Sequence, residues 1–104
     1  MEILINTDNN IDGTAQMIAY FKEETKISFE RFSDHLTRIE IKISDENGDK
    51  SGEKDKRCVL EARIKGMQPI AVTGFGNTVE KAFHAAVDKM KTSLDSTMGK
   101  LKTY

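Results

Sequence analysis

The feature that most constrains the fold is a strict alternation of apolar and charged residues over residues 38–43. Isoleucines at positions 39, 41 and 43 alternate with Arg38, Glu40 and Lys42. Successive side chains of a β-strand point to opposite faces, so the pattern predicts a strand with one buried and one solvated face. The chain must therefore form a sheet whose apolar face is covered by other elements.

Three further strands follow from the same reasoning. Alternation resumes at residues 58–64, where Cys58, Leu60, Ala62 and Ile64 share one side. Residues 66–69 form a turn, and residues 70–75 return as a partner strand that begins after Pro69. A short β-rich segment at residues 3–5 opens the chain and is followed by turn-forming residues.

Two helices are predicted to cover the sheet. The first is capped by Asp12 or Thr14 and ends around residues 33–35, with an apolar stripe at three- and four-residue steps. The second follows residues 74–76 and is capped by Asn77 in a capping box with Glu80. Its apolar stripe comprises Val79, Phe83, Ala86, Met90, Leu94, Met98 and Leu101.

The predicted order is β-α-β-β-β-α, which makes this an α+β protein with a four-stranded sheet and two helices packed on one face. All 104 residues form one domain, since no repeat, linker or second core is visible. Residues 44–57 contain no apolar side chain, five acids and four bases, so they are expected to form a mobile charged loop between two strands.

Composition excludes several classes of protein. The longest apolar run, residues 17–21, is far short of the roughly 20 residues that cross a bilayer, and no basic start precedes an apolar stretch. We therefore expect a cytoplasmic protein without a membrane partner. Because Cys58 is the single cysteine, neither an internal disulfide nor a cysteine-based zinc site can form.

Catalytic motifs are missing. The two histidines, His35 and His84, lie in no metal-ligand spacing, and no serine lies in a nucleophile elbow. Residues 74–76 read Gly-Phe-Gly, which lacks the remaining residues of a phosphate-binding loop and favours a strand exit with unusual backbone requirements. Phe75 is expected to pack in the core or at the sheet edge, the alternative being that it stacks on a base. We predict no catalytic residue, no metal, no cofactor and no small-molecule substrate.

Charge is distributed unevenly despite a net charge of −1. Residues 1–57 carry nine Lys/Arg and thirteen Asp/Glu (9 − 13 = −4), whereas residues 58–104 carry seven and four (7 − 4 = +3). A basic strip could track a phosphate backbone, the alternative being an ordinary solvated face. The candidate RNA-binding residues are Lys81, Lys89 and Lys91 of the last helix and Arg63 and Lys65 of the preceding strand.

The whole chain resembles the ribosome hibernation-promoting factors and the ribosome-associated inhibitor protein Y. The resemblance runs from residue 1 to about residue 102 and includes the opening strand with Asn9-Asn10, the end of the first helix at residues 31–35 and the alternating strand. Its most specific part is residues 82–90, which read AFHAAVDKM where the family has Ala-x-x-x-x-Val-Asp-Lys-Leu. The same order of elements is similar to the double-stranded-RNA-binding domains, but their phosphate-clamping lysine pair is missing at residues 77–83.

This resemblance implies a function. Such factors bind the small ribosomal subunit where messenger and transfer RNA would pass, and they inhibit translation in stress or stationary phase. It implies a non-catalytic ribosome-associated factor of the short type whose partner is the rRNA of the small subunit. Lys89 matches the lysine of the family motif directly. The family arginine three residues later is replaced by Thr92, and the first helix has Glu24 and Ile27 where lysines are common.

A second hypothesis is a small protein–protein modulator on the same fold that has lost RNA binding. The −4 charge of the first half and the missing family arginine motivate it.

Overall fold

The computed structural model describes residues 1–8, 11–46 and 55–102, with side chains described as far as residue 99. Its elements are β1 (Glu2–Thr7), α1 (Ala15–Ser28), a 3-10 turn (Glu30–Phe32), β2 (Leu36–Asp45), β3 (Lys56–Ile64), β4 (Ile70–Gly76) and α2 (Val79–Lys102). The predicted order and the α+β class are confirmed.

The four strands form one sheet in the order β1-β2-β3-β4. Strand β1 pairs parallel with β2, and the other two pairings are antiparallel. Strands β1, β2 and β4 therefore run in one direction, so α1 and α2, which follow β1 and β4, begin at the same end of the sheet. Strands β1 and β4 are its two edges.

Both helices pack on the face that the alternation predicted to be buried. Ile39, Ile41 and Leu60 are completely inaccessible to solvent. The helices meet above them through Phe21 and Phe83, whose ring centroids lie 4.5 Å apart. The rest of the core consists of Phe29, Phe32, Leu36, Ile43, Cys58, Ala62, Ile64, Ala82, Ala86, Val87, Met90, Leu94 and Met98.

The glycines at the end of β4 allow α2 to lie directly on the strand. A Cβ atom on Gly74 would come within 2.3 Å of the Ala86 nitrogen, and one on Gly76 within 2.7 Å of the Ala82 nitrogen. Because these contacts are with helix backbone, the space that the missing side chains leave is occupied by the helix itself. The Gly-Phe-Gly segment is thus explained by packing.

The helix ends differ in part from the predictions. Thr14 caps α1, its Oγ1 accepting a hydrogen bond from the Met17 amide at 3.0 Å. Thr78, not Asn77, caps α2, since its Oγ1 accepts from the Lys81 amide at 3.1 Å. Helix α1 ends at Ser28, earlier than predicted, because the chain tightens into the 3-10 turn that buries Phe32.

The predicted loop at residues 44–57 is wrong at both ends. Strand β2 continues through Asp45 and β3 begins at Lys56. The Lys56 ammonium lies 3.3 Å from Asp45 and 2.9 Å from Asp55, two carboxylates that are almost fully buried. The hydrogen bond to Asp55 is the main reason that the pKa of Lys56 lies above its usual value. Residues 47–54 lie outside the described residues.

Candidate nucleic-acid interface

The three candidate lysines of α2 occupy different sides of the helix. At about 100° per residue, Lys81 lies about 80° from each of the other two, whereas Lys89 and Lys91 lie about 160° apart. Lys81 and Lys89 are exposed, and Lys91 is half-buried. Lys89 and Lys91 therefore lie on opposite flanks of α2, with Lys81 between them.

Lys89 leans over the open edge of the sheet. Its Nζ donates a hydrogen bond to the backbone carbonyl of Thr73 in β4 at 2.7 Å. Strand β4 is an edge of the sheet, so one of its sides has no partner strand. An ammonium group has three donors, and this bond uses one of them. Lys89 is thus held in a fixed position while its charge and two donors stay available to a ligand.

Lys91 faces the end of α1. Together with Ile27, Ser28, Glu30 and Arg31 it lines an open groove of about 510 Å³ between the two helices. A cation near the C-terminus of a helix is favoured by the helix dipole, which accounts for its orientation towards α1.

A second cation in this region, Arg31, was not predicted from the sequence. Its Nη1 lies 2.8 Å from Asp95 of α2, and its guanidinium lies 4.4 Å from the centroid of the Phe32 ring. The 64-residue separation of the two ion-pair partners leaves no periodic signal in the sequence. Because Asp95 neutralises it, Arg31 serves to link the 3-10 turn to α2.

The two predicted residues of β3 do not join the α2 lysines on one surface. Arg63 lies on the sheet face away from the helices, where its Nε is 3.3 Å from Glu61. Lys65 lies in the turn after β3, and its amide donates to the His35 carbonyl at 2.9 Å. Within the described ranges, Lys65, Lys81, Lys89 and Lys91 form no ion pair with a carboxylate.

Acidic side chains lie where the two helices begin. A groove of about 590 Å³ opens there between the two helix N-termini, lined in part by Tyr20, Met17 and Glu80. Partial burial, and then the carboxylates of Glu24 and Glu80, raise the pKa of the Tyr20 hydroxyl. These carboxylates disfavour a phosphate inside this groove, so RNA would contact α2 outside it, on the exposed lysines.

Phe75 does not pack in the core; it lies on β4, an edge of the sheet, and the prediction had allowed either place. Its side chain is 47% exposed, on the sheet face that the helices leave open. The alternation of β4 turns Gly74 and Gly76 towards α2, so the residue between them must point to the other face.

Nothing in the described ranges forms a metal site, since no three His, Cys, Asp or Glu side chains there cluster suitably. Cys58 is buried, and burial raises the pKa of its thiol to about 12. No helix among the described residues is long and apolar enough to span a bilayer.

One family model and two solved structures match this chain. The family described as sigma 54 modulation protein / S30EA ribosomal protein matches residues 4–102. Two solved structures have the same fold: the N-terminal domain of Protein Y from Thermus thermophilus (18% identity, TM-score 0.71, covering 93% of this chain and 99% of that one) and a ribosomal subunit interface protein from Coxiella burnetii (17%, 0.72, 95% and 99%). No curated protein matches the sequence significantly.

The match confirms the resemblance noted in the sequence. It extends over nearly the whole chain and includes the segment that carries Lys89. With its β-α-β-β-β-α fold, the chain belongs to the sigma 54 modulation / S30EA ribosomal protein family, the ribosome-associated family of the hibernation factors.

Proposed function

We propose that this protein is a non-catalytic cytoplasmic factor that binds the small ribosomal subunit through its rRNA and inhibits translation in stress or stationary phase. The observation that carries the proposal is the pair of exposed lysines on α2, Lys81 and Lys89, whose ammonium groups have no carboxylate partner in the described residues. In a nearly neutral protein, such charges are available for phosphate contacts.

Lys89 is the central residue of the proposed interface. The Thr73 carbonyl already fixes its ammonium group at 2.7 Å, so little side-chain freedom remains to be lost on binding. Lys81 lies two turns away, about 12 Å along the helix axis, and extends the contact. Lys91, Lys65 and Arg63 would act as separate peripheral contacts, with Arg63 exchanging its exposed Glu61 partner for a phosphate.

The test is co-sedimentation with purified small subunits over a series of salt concentrations. We expect Lys89→Glu to weaken binding and to reduce the slope of log affinity against log salt by about 1, because one phosphate contact is lost. Lys22→Glu is the matched control, since it makes the same change of charge on exposed α1. A cell-free translation reaction should show inhibition by the wild type and less inhibition by Lys89→Glu.

The result that would overturn the proposal is an absence of co-sedimentation at low salt, or equal weakening by both variants. Unfolding would not explain weaker binding by Lys89→Glu, because an exposed hydrogen bond such as that to Thr73 contributes about 1 kcal/mol or less to stability. Recovery of a protein partner after nuclease treatment, with no binding to the small subunit, would instead support the protein–protein modulator hypothesis.

A further inference from the structure

The sheet face opposite the helices carries an exposed aromatic ring beside an exposed arginine. We call one end of this face the Phe75 platform. Its members are the outward-facing residues nearest to the C-terminal ends of β1, β2 and β4: Asn6, Lys42, Ser44, Arg57, Val59, Thr73 and Phe75. The packing of α2 on the two flanking glycines accounts for the direction of Phe75 but gives the ring itself no structural role.

Strand register places one cation next to this ring and a second cation two strands away. Phe75 lies directly across from Arg57, and Val59, two residues along β3, lies across from Lys42 on its other side. The platform thus contains two cations, with Glu46 and Asp8 at its margin, whereas Glu40 and Glu61 face each other farther along the same sheet face.

A shallow depression of about 480 Å³ lies on this face, and Arg57, the residue across from Phe75, lines it. Asn6, Lys42 and Val59 also line it, as does Asp8, whose carboxylate accepts a hydrogen bond from the Asp45 amide at 3.2 Å. Arg57 makes an exposed ion pair with Glu46 at 3.4 Å, a contact that contributes little in water and that a phosphate can replace. The depression therefore offers a phosphate two cations within reach of an exposed aromatic face.

We propose that the Phe75 platform binds single-stranded RNA, with a base stacked on Phe75 and the adjoining phosphates held by Arg57 and Lys42. The arrangement is that of single-strand binding surfaces, in which aromatic rings on a sheet stack bases and a basic groove follows the backbone. One ring and Val59 offer far less apolar area than the roughly 800 Å² per partner of a stable protein interface, which argues for a base. The inference deepens the proposed function, on which it rests, by adding a second RNA contact on the opposite face from α2.

The experiment measures binding of a fluorescein-labelled, unstructured 12-nucleotide RNA by anisotropy at 50 mM salt, with the full chain. Phe75→Ala and Phe75→Leu should each weaken binding at least about five-fold, and Phe75→Tyr should retain it, because stacking requires the ring. Tyr20→Ala is the matched control, since Tyr20 is similarly exposed (43%) but lies on α1. Its affinity should equal that of the wild type.

Phe75→Trp gives a direct readout of stacking. The sequence contains no tryptophan, so this variant has a single reporter, whose emission should be quenched on saturation with the RNA. Failure of the wild type to bind the RNA, equal affinity of Phe75→Ala, or unchanged tryptophan emission would each overturn the inference. Wild-type affinity of Phe75→Leu would also overturn the inference, and it would indicate an apolar contact instead of stacking.

The two proposals can fail separately. If the wild type co-sediments with small subunits but Phe75 variants bind the oligonucleotide as tightly as the wild type does, only the inference about the platform is wrong. If Phe75 is needed for oligonucleotide binding but the protein does not co-sediment with subunits, the platform stands and the ribosomal function is wrong.

Discussion

Replacing Gly74 with alanine should strongly destabilise the protein although it adds one methyl group. The new Cβ would lie 2.3 Å from the Ala86 nitrogen, 2.5 Å from the Ala82 carbonyl oxygen and 2.9 Å from the Ala85 carbonyl carbon. Ordinary contact begins at 3.4 Å, so α2 and β4 would have to separate by about 1.1 Å (3.4 − 2.3). The atoms concerned are helix backbone and cannot rotate away.

The expected loss is on the order of 3 kcal/mol, the upper part of the range for overpacked cores, because the whole helix must move. For a domain of this size it corresponds to a decrease in Tm of roughly 12 °C. The assay is thermal and urea unfolding followed by circular dichroism.

Gly99→Ala is the matched control. It introduces the same methyl group at a helical position where no atom lies within 4 Å of the new Cβ. Alanine is favoured over glycine in a helix by up to about 1 kcal/mol, so this variant should be slightly more stable than the wild type. Equal stability of the two variants would refute the close-packing argument.

Two further predictions concern the second helix and the buried thiol. Thr78→Ala removes the cap of α2 and should cost about 1 kcal/mol in urea unfolding, whereas Asn77→Ala should cost less, since the structure gives Asn77 no capping bond. Cys58 should not react with a thiol reagent at pH 8 until the protein unfolds. Because its pKa is about 12 in the folded protein and 9.0 ordinarily, the unfolded chain loses the proton first. The free energy of unfolding should therefore fall as pH rises from about 9 to 12, and less so in Cys58→Ala; an identical pH profile for the variant would contradict this.

The strands were predictable because alternation is a local signal. The inward positions of β2 and β3 all proved buried, since a pleated strand allows them no other orientation. The cap of α2 could not be predicted in the same way, because Asn77 and Thr78 are both good capping residues and their order does not decide between them. The ends of β2 and β3 were missed because Lys56, Asp45 and Asp55 look like solvated residues until strand pairing brings them together.

The candidate interface was only partly predictable. The helical wheel placed Lys81 within about 80° of Lys89, but the sequence could not show that Lys89 reaches the Thr73 carbonyl. Arg63 was grouped with them because β3 is near α2, yet the pleat turns its side chain to the opposite face of the sheet. Whether these residues contact RNA remains a prediction for the co-sedimentation assay.

The sequence by itself determined the elements, their order and the buried face of the sheet, because those depend on side-chain spacing over a few residues. It also carried the family motif around Lys89. Only the tertiary structure decided which charges are paired, where Phe75 points and how closely α2 approaches β4. Those outcomes depend on contacts between residues far apart in the chain, such as Arg31 with Asp95 and Lys89 with Thr73, and no local pattern encodes them.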